Sequence, residues 1–174
     1  MQEAFELVNV DGTYAVLNKH SVVSVLVYTL DENGVLDKIG AVTEPNPHFP
    51  NGIYTGPVMG KVEADDKSLL SRAKQETLEE TGYEVIETER WSFLGEMITS
   101  KLLPGPVYCY SVDVTGIQQG EIKGDGSEQE ANLKFELLDL NKASEINDTI
   151  LQTCFFKLFN KLYKKDLIDG TTQS

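Results

Sequence analysis

The run His20 to Leu30, HSVVSVLVYTL, leaves this chain few choices. Its β-branched residues lose side-chain freedom in a helix and pack well on a pleated surface, and its length suits a central strand. Asp31-Glu32-Asn33-Gly34 is turn chemistry and Val35 to Val42 reads as the returning strand, so a hairpin is expected over 20–42. Two stretches of helical period offer cover for such a sheet. In the first, Ser68 to Thr81, Leu69, Leu70, Ala73 and Thr77 share a face; Ser68 or Asp66 can cap its start, and Gly82 stands where a left-handed residue ends a helix. In the second, Asn147 to Leu167, the stripe is Ile150, Leu151, Cys154, Phe155, Leu158, Phe159 and Leu162, with Asn147 as the expected cap.

The remaining chain reads as strands and breaks. Phe5 to Val10 and Thr13 to Leu17 flank Asp11-Gly12, which suits a tight hairpin turn. Glu44 to Gly56 holds three of the six prolines and is expected to be a loop. Tyr83 to Met97, Val107 to Val114 and Leu133 to Leu138 are expected strands, with a break at Leu102 to Pro106 and a polar, mobile loop at Gly116 to Glu130. The order predicts an α+β fold, a mixed β-sheet sandwiched between helices. Its expected parts are an N-terminal β-hairpin extension at 1–17, one domain over 18–168 and a flexible tail at 169–174.

At 174 residues one domain is the default. The 15 Lys and Arg against 28 Asp and Glu leave a formal net charge of −13, which argues against a nucleic-acid backbone or an anionic membrane as partner. No run is apolar enough for a spanning helix, and no basic region followed by an apolar stretch opens the chain, so neither membrane insertion nor export is expected. Cys109 and Cys154 cannot make a disulfide framework, and His20 and His48 stand apart from any ligand spacing. Reduced, buried thiols are expected, and with them a cytoplasmic location.

The chemistry concentrates between Gly60 and Val85, GKVEADDKSLLSRAKQETLEETGYEV. Glu76, Glu79 and Glu80 stand at i, i+3 and i+4 and project within about 100° of arc. Like charges at that spacing repel, by a few tenths of a kcal/mol per pair. Arg72, one turn earlier, can offset one of them. Hard oxygen donors left over suit Mg²⁺ or Mn²⁺, which in turn bind phosphate oxygens; a solvated acidic helix face is the alternative.

With its flanks this segment resembles the box of the Nudix hydrolases, commonly written G-x5-E-x7-R-E-U-x-E-E-x-G-U with U aliphatic. In QETLEETGY, Gln75 to Tyr83, the residues Glu76, Glu79, Glu80 and Gly82 match position by position. Gln75 replaces the box arginine, Thr77 replaces an aliphatic, and Met59-Gly60 stands for the common Gly-Gly. The preceding loop is one residue long for the pattern, with Asp66 nearest to its early glutamate. The resemblance covers roughly 18–165 and implies the Nudix fold.

It also implies the family's chemistry: metal-dependent water attack on a nucleoside diphosphate joined to a second group. By resemblance Glu76 and Glu80, with the Met59-Gly60 backbone carbonyls, hold Mg²⁺ or Mn²⁺, and Glu79 is a third ligand or a base acting through the metal shell. Glu128 is the first candidate for general base in the acidic loop and Glu130 the second. Arg72, Glu44 and Tyr54 are the expected substrate contacts, and Trp91 and Phe93 are further candidates for a base clamp. ADP-ribose and nucleotide sugars are the favoured substrates of this small-molecule reading. A nucleoside triphosphate pyrophosphatase and a non-catalytic nucleotide sensor are the alternatives. The 1–17 ribbon is expected either to build a homodimer or to cover an edge of its own sheet.

Overall fold

A computed structural model describes residues 5–10, 12–18, 20–49, 51–100, 103–124 and 132–169. In chain order the strands are β1 (Phe5–Val10), β2 (Thr13–Asn18), β3 (Val22–Leu30), β4 (Leu36–Pro45), β5 (Ile53–Gly56), β6 (Val58–Lys61), β7 (Trp91–Ser100), β8 (Leu103–Asp113) and β9 (Lys134–Asp139). The helices are α1 (Leu69–Thr81), α2 (Leu140–Ser144) and α3 (Thr149–Asp169).

β3 takes the central place that its composition predicts. It pairs parallel with β8 from Val22↔Val107 to Tyr28↔Asp113. Its other edge is shared by two antiparallel partners: β4 at Tyr28 to Leu30 and β6 at Val22 to Val25. β4 leaves β3 after Ile39 and continues between β9 and β5. The sheet therefore splits, and the short link through Pro57 joins the two halves. β7 closes the far edge on β8, and β1 and β2 form a separate two-stranded ribbon with β2 lying beside β8.

The alternation of β3 assigns its two faces. Val23, Val25 and Val27 pack with Ala73, Tyr83, Val85, Trp91, Tyr110 and Val112 under α1. Leu26 and Tyr28 pack with Ile39, Cys109, Leu151, Cys154 and Leu158 under α3. The fold is thus α+β, a mixed sheet between helices, as expected from the sequence. α1 begins and ends where its signals stand. Ser68 and Ser71 close a reciprocal capping box, and Gly82 turns left-handed at φ 74° with its N–H on the Leu78 carbonyl.

Several expectations need correction. The 44–56 segment is not all loop: β4 runs through Pro45, and β5 pairs with it at Glu44↔Tyr54, confining the turn to 46–52. The span Tyr83 to Met97 is a strand only from Trp91, because the chain first leaves Gly82 and makes a 3-10 turn over Thr88–Arg90. Pro104 and Pro106 do not break the chain. They lie in β8 before its pairing with β3 begins at Val107, where a missing N–H costs the ladder little. α3 is capped by Asp148 rather than Asn147: the Asp148 Oδ1 accepts from the Leu151 N–H at 2.7 Å. β6 and α2 were not expected.

Candidate active site

α1 follows β6 by a short loop and crosses the split side of the sheet. Its buried residues are Ala73, Glu76, Thr77, Glu80 and Thr81, so two of the three box glutamates point inward. Glu76 is 3% exposed and Glu80 5%, which excludes the solvated acidic face as their setting. A buried carboxylate needs a partner. Glu76 has the Arg72 guanidinium, an ion pair in which both side chains are largely withdrawn from water. Glu79 lies on the flank, where Gln75 Nε2 donates to its Oε1 at 2.9 Å. The residue in the place of the box arginine thus braces the neighbouring glutamate through a neutral hydrogen bond, while Arg72 supplies the charge one turn earlier.

Gly60 is fixed by Glu76. A Cβ at position 60 would overlap the Glu76 side chain from Cγ to Oε1, so only glycine lets β6 pass beneath it. This sets the Gly60 backbone directly against the Glu76 side chain.

Tyr54 on β5 forms the opposite wall. Its hydroxyl donates to Asp148 Oδ2 at 3.3 Å and lies 3.6 Å from Met59 Sδ. Burial pushes that hydroxyl far above its ordinary range, and the negative charges of Asp148, Glu44 and Glu80 add to the shift. The Tyr54 ring is thereby placed among carboxylates from β4, α1 and the start of α3. Glu44 is itself raised, because burial outweighs the hydrogen bond from Asn46. The Phe49 ring tilts against Tyr54 at 5.1 Å between centroids. A cleft of about 350 Å³ opens there, lined by Phe49, Asn51, Ile53, Tyr54, Asn147 and Asp148 among others.

Sequence reasoning missed Asp148. Asn147 is the expected cap, and nothing local says that the Asp148 carboxylate also meets a strand 94 residues away. Of the other expected site residues, Arg72, Glu44 and Tyr54 are brought to this region. Trp91 is not: it is buried in the core with its Nε1 donating to the Val85 carbonyl. Phe93 is exposed on β7 against Tyr110. Glu128 and Glu130 lie outside the described residues.

Among the described residues, no three His, Cys, Asp or Glu side chains are gathered at metal-holding distance. Glu76 is drawn to Arg72 and Glu79 to Gln75. The donor chemistry nevertheless fits Mg²⁺ or Mn²⁺: the groups are hard carboxylate and carbonyl oxygens on rigid elements, and the glycine leaves the backbone accessible to the carboxylates. Among the described residues no helix is long and apolar enough to cross a membrane.

No protein-family model and no curated protein sequence matches the chain. Solved structures do. An ADP compounds hydrolase superposes with a TM-score of 0.60 at 12% identity, covering 100% of this chain and 91% of the other. The Nudix domain of Shewanella oneidensis NrtR, complexed with ADP-ribose, gives 0.59 at 13% identity over 82% of this chain and 87% of that one. A Nudix hydrolase from Nitrosomonas europaea gives 0.56 at 13% identity over 82% and 89%. These superpositions extend over most of this chain and most of each of the others, and three of a kind at these scores give the architecture: this chain has the Nudix fold.

Proposed function

We propose that the protein is a hydrolase that cleaves the diphosphate bond of a nucleoside diphosphate joined to a second group, with ADP-ribose or a nucleotide sugar as substrate. The observation that carries the reading is the pair of inward carboxylates, Glu76 and Glu80, set against a glycine that cannot be replaced without displacing Glu76. Arg72 partners Glu76, and the carboxylates gathered on this helix are the hard oxygen donors that a divalent cation takes. The similarity to an ADP compounds hydrolase and to a Nudix domain complexed with ADP-ribose supports the choice of substrate.

In this reading Glu76, Glu79 and Glu80 with the Met59-Gly60 backbone would hold Mg²⁺ or Mn²⁺. The bound ion supplies charge neutralisation of the diphosphate and a lowered water pKa. The protein's own part is positional. Gln75 fixes the Glu79 carboxylate, which takes the proton of the attacking water, with Glu128 and then Glu130 as the alternative bases. Arg72 holds Glu76 and lies beside the phosphates. Tyr54, Phe49 and Asp148 line the cleft for the nucleoside, their ring faces and carboxylate matching a planar base with N–H donors. The products are a nucleoside monophosphate and a phosphorylated second group.

The Arg72–Glu76 ion pair favours one other reading, a domain that binds the nucleotide without cleaving it. One assay separates the two. The protein is incubated with Mg²⁺ or Mn²⁺ and with ADP-ribose, nucleotide sugars or nucleoside triphosphates, and products are identified by mass. AMP and ribose 5-phosphate from ADP-ribose are expected. Binding by calorimetry without any product would replace the hydrolase by the sensor, and pyrophosphate release from a triphosphate would change the substrate class.

A further inference from the structure

The two outer glutamates of the site sit at an unfavourable place on α1. Glu79 and Glu80 occupy its last turn, the negative end of the helix dipole, and no basic residue stands in that turn. Carboxylates there are destabilising, and the last carbonyls of a helix lack partners within it. Of the 116–130 segment, expected to be a mobile loop, the described part up to Gly124 is bound to this end. Gln119 Nε2 donates to the Thr81 carbonyl at 2.8 Å, and the Gly120 N–H to the Gly82 carbonyl at 2.9 Å. The Lys123 and Gly124 N–H groups both donate to the carbonyl of Glu79 itself, at 3.3 and 2.9 Å.

The contact is close as well as polar. A Cβ at Gly82 would stand 2.5 Å from the Gly120 carbonyl oxygen, and one at Gly120 would stand 3.1 Å from that of Gly82. Four N–H donors therefore meet the negative end of the helix at a fixed spacing and hold its last turn from outside.

We propose that the segment 117–124 is a strap that sets the orientation of Glu79 and Glu80, and that Gln119 is its positioning residue. This rests on the proposed function for what the glutamates do, but the strap itself does not. Gln119 bonds through its side chain, so its share can be removed without touching the backbone. Without it the Thr81 carbonyl loses its donor, the last turn is held less firmly, and the two carboxylates lose a fixed bearing on the split in the sheet.

The test uses the full chain and Gln119→Met, which keeps the length of the side chain and removes the donor. Mn²⁺ binding is measured by electron paramagnetic resonance, amide exchange at Gly120 and Gly124 by NMR on the metal-free protein, and turnover on ADP-ribose. Loss of one hydrogen bond predicts Mn²⁺ binding weakened about three- to tenfold, and faster exchange at both glycines. Turnover is expected to fall by a similar factor with KM held within about twofold. The effect on Mn²⁺ is expected to vanish in a Glu79→Gln background, which a general loss of stability would not produce. Unchanged Mn²⁺ affinity with only a lower melting temperature overturns the positioning role. If the parent chain binds no Mn²⁺, the metal reading fails, and the strap stands or falls on the exchange rates alone: unchanged exchange overturns it.

Discussion

α1 and α3 cover opposite faces of one sheet, and they do it with different materials. α3 buries Leu151, Cys154 and Leu158, all fully enclosed. α1 buries Ala73, Glu76, Thr77, Glu80 and Thr81, with no large apolar side chain among them. A helix of the first kind is held by the area it removes from water. One of the second kind gains less that way, through Ala73 and the half-buried Leu69 and Leu70, and is held at its ends as well: by the Ser68–Ser71 box at the start, by Gly82 and the 117–124 strap at the finish, and by Arg72 in the middle. The contrast separates the half of the molecule that supplies stability from the half in which stability yields to the site.

The contrast breaks most sharply at Glu80. Glu80→Gln is expected to lower turnover on the order of a thousandfold, the scale of losing an electrostatic stabiliser. The melting temperature of the metal-free variant should stay near that of the parent, because the amide keeps the shape of the carboxylate. A parallel fall in stability and activity, seen by calorimetry and a product assay, would erase the difference between the helices. On the other face, Leu158→Ala should cost about 2–5 kcal/mol in urea unfolding and leave turnover per folded molecule unchanged. At the start of α1, Ser68→Ala should cost about 1 kcal/mol through the lost cap and lower activity only as far as the helix frays. The smallest effect is at Glu44. Its folded value lies above the ordinary one, so the folded state holds the proton more tightly and stability falls as pH rises through that raised value. Glu44→Gln should therefore be more stable than the parent near neutral pH, with the difference closing at about pH 3.5, below the ordinary carboxylate value. An equal difference at both pH values would mean that packing rather than charge is what changed.

Much of this was legible from local chemistry. Turn residues and β-branched runs marked the β3–β4 hairpin, and Ser68, one of two expected caps, with Gly82 marked α1 to within a residue. The glutamates were legible because their spacing is a helix property. What could not be read depends on partners far along the chain. Val58-Met59-Gly60-Lys61 carries no strand signal of its own; it is β6 because β4 vacates an edge of β3. Pro104 and Pro106 looked like a break because their tolerance depends on where β8 meets β3. Asp148 belongs to the site only through Tyr54, and Gln119 only through a carbonyl of α1, contacts for which sequence offers no period.

The parallel ladder between β3 and β8 has a consequence for the order in which the molecule assembles. The amide of Leu30 at its upper end bonds Thr115, 85 residues later. Closing so long a loop is entropically costly, and pairings of that separation slow folding relative to local ones. On a ribosome, β3 emerges with β4, β6 and α1 well before β8 exists. Until then α1 has Val23, Val25 and Val27 beneath it but lacks Tyr110, Val112 and Val114, and its last turn lacks the strap. The acidic helix is thus synthesised well before the strands that complete the core beneath it, and the long-range pairings of β8 with β3 and of β9 with β4 are the expected slow steps of folding.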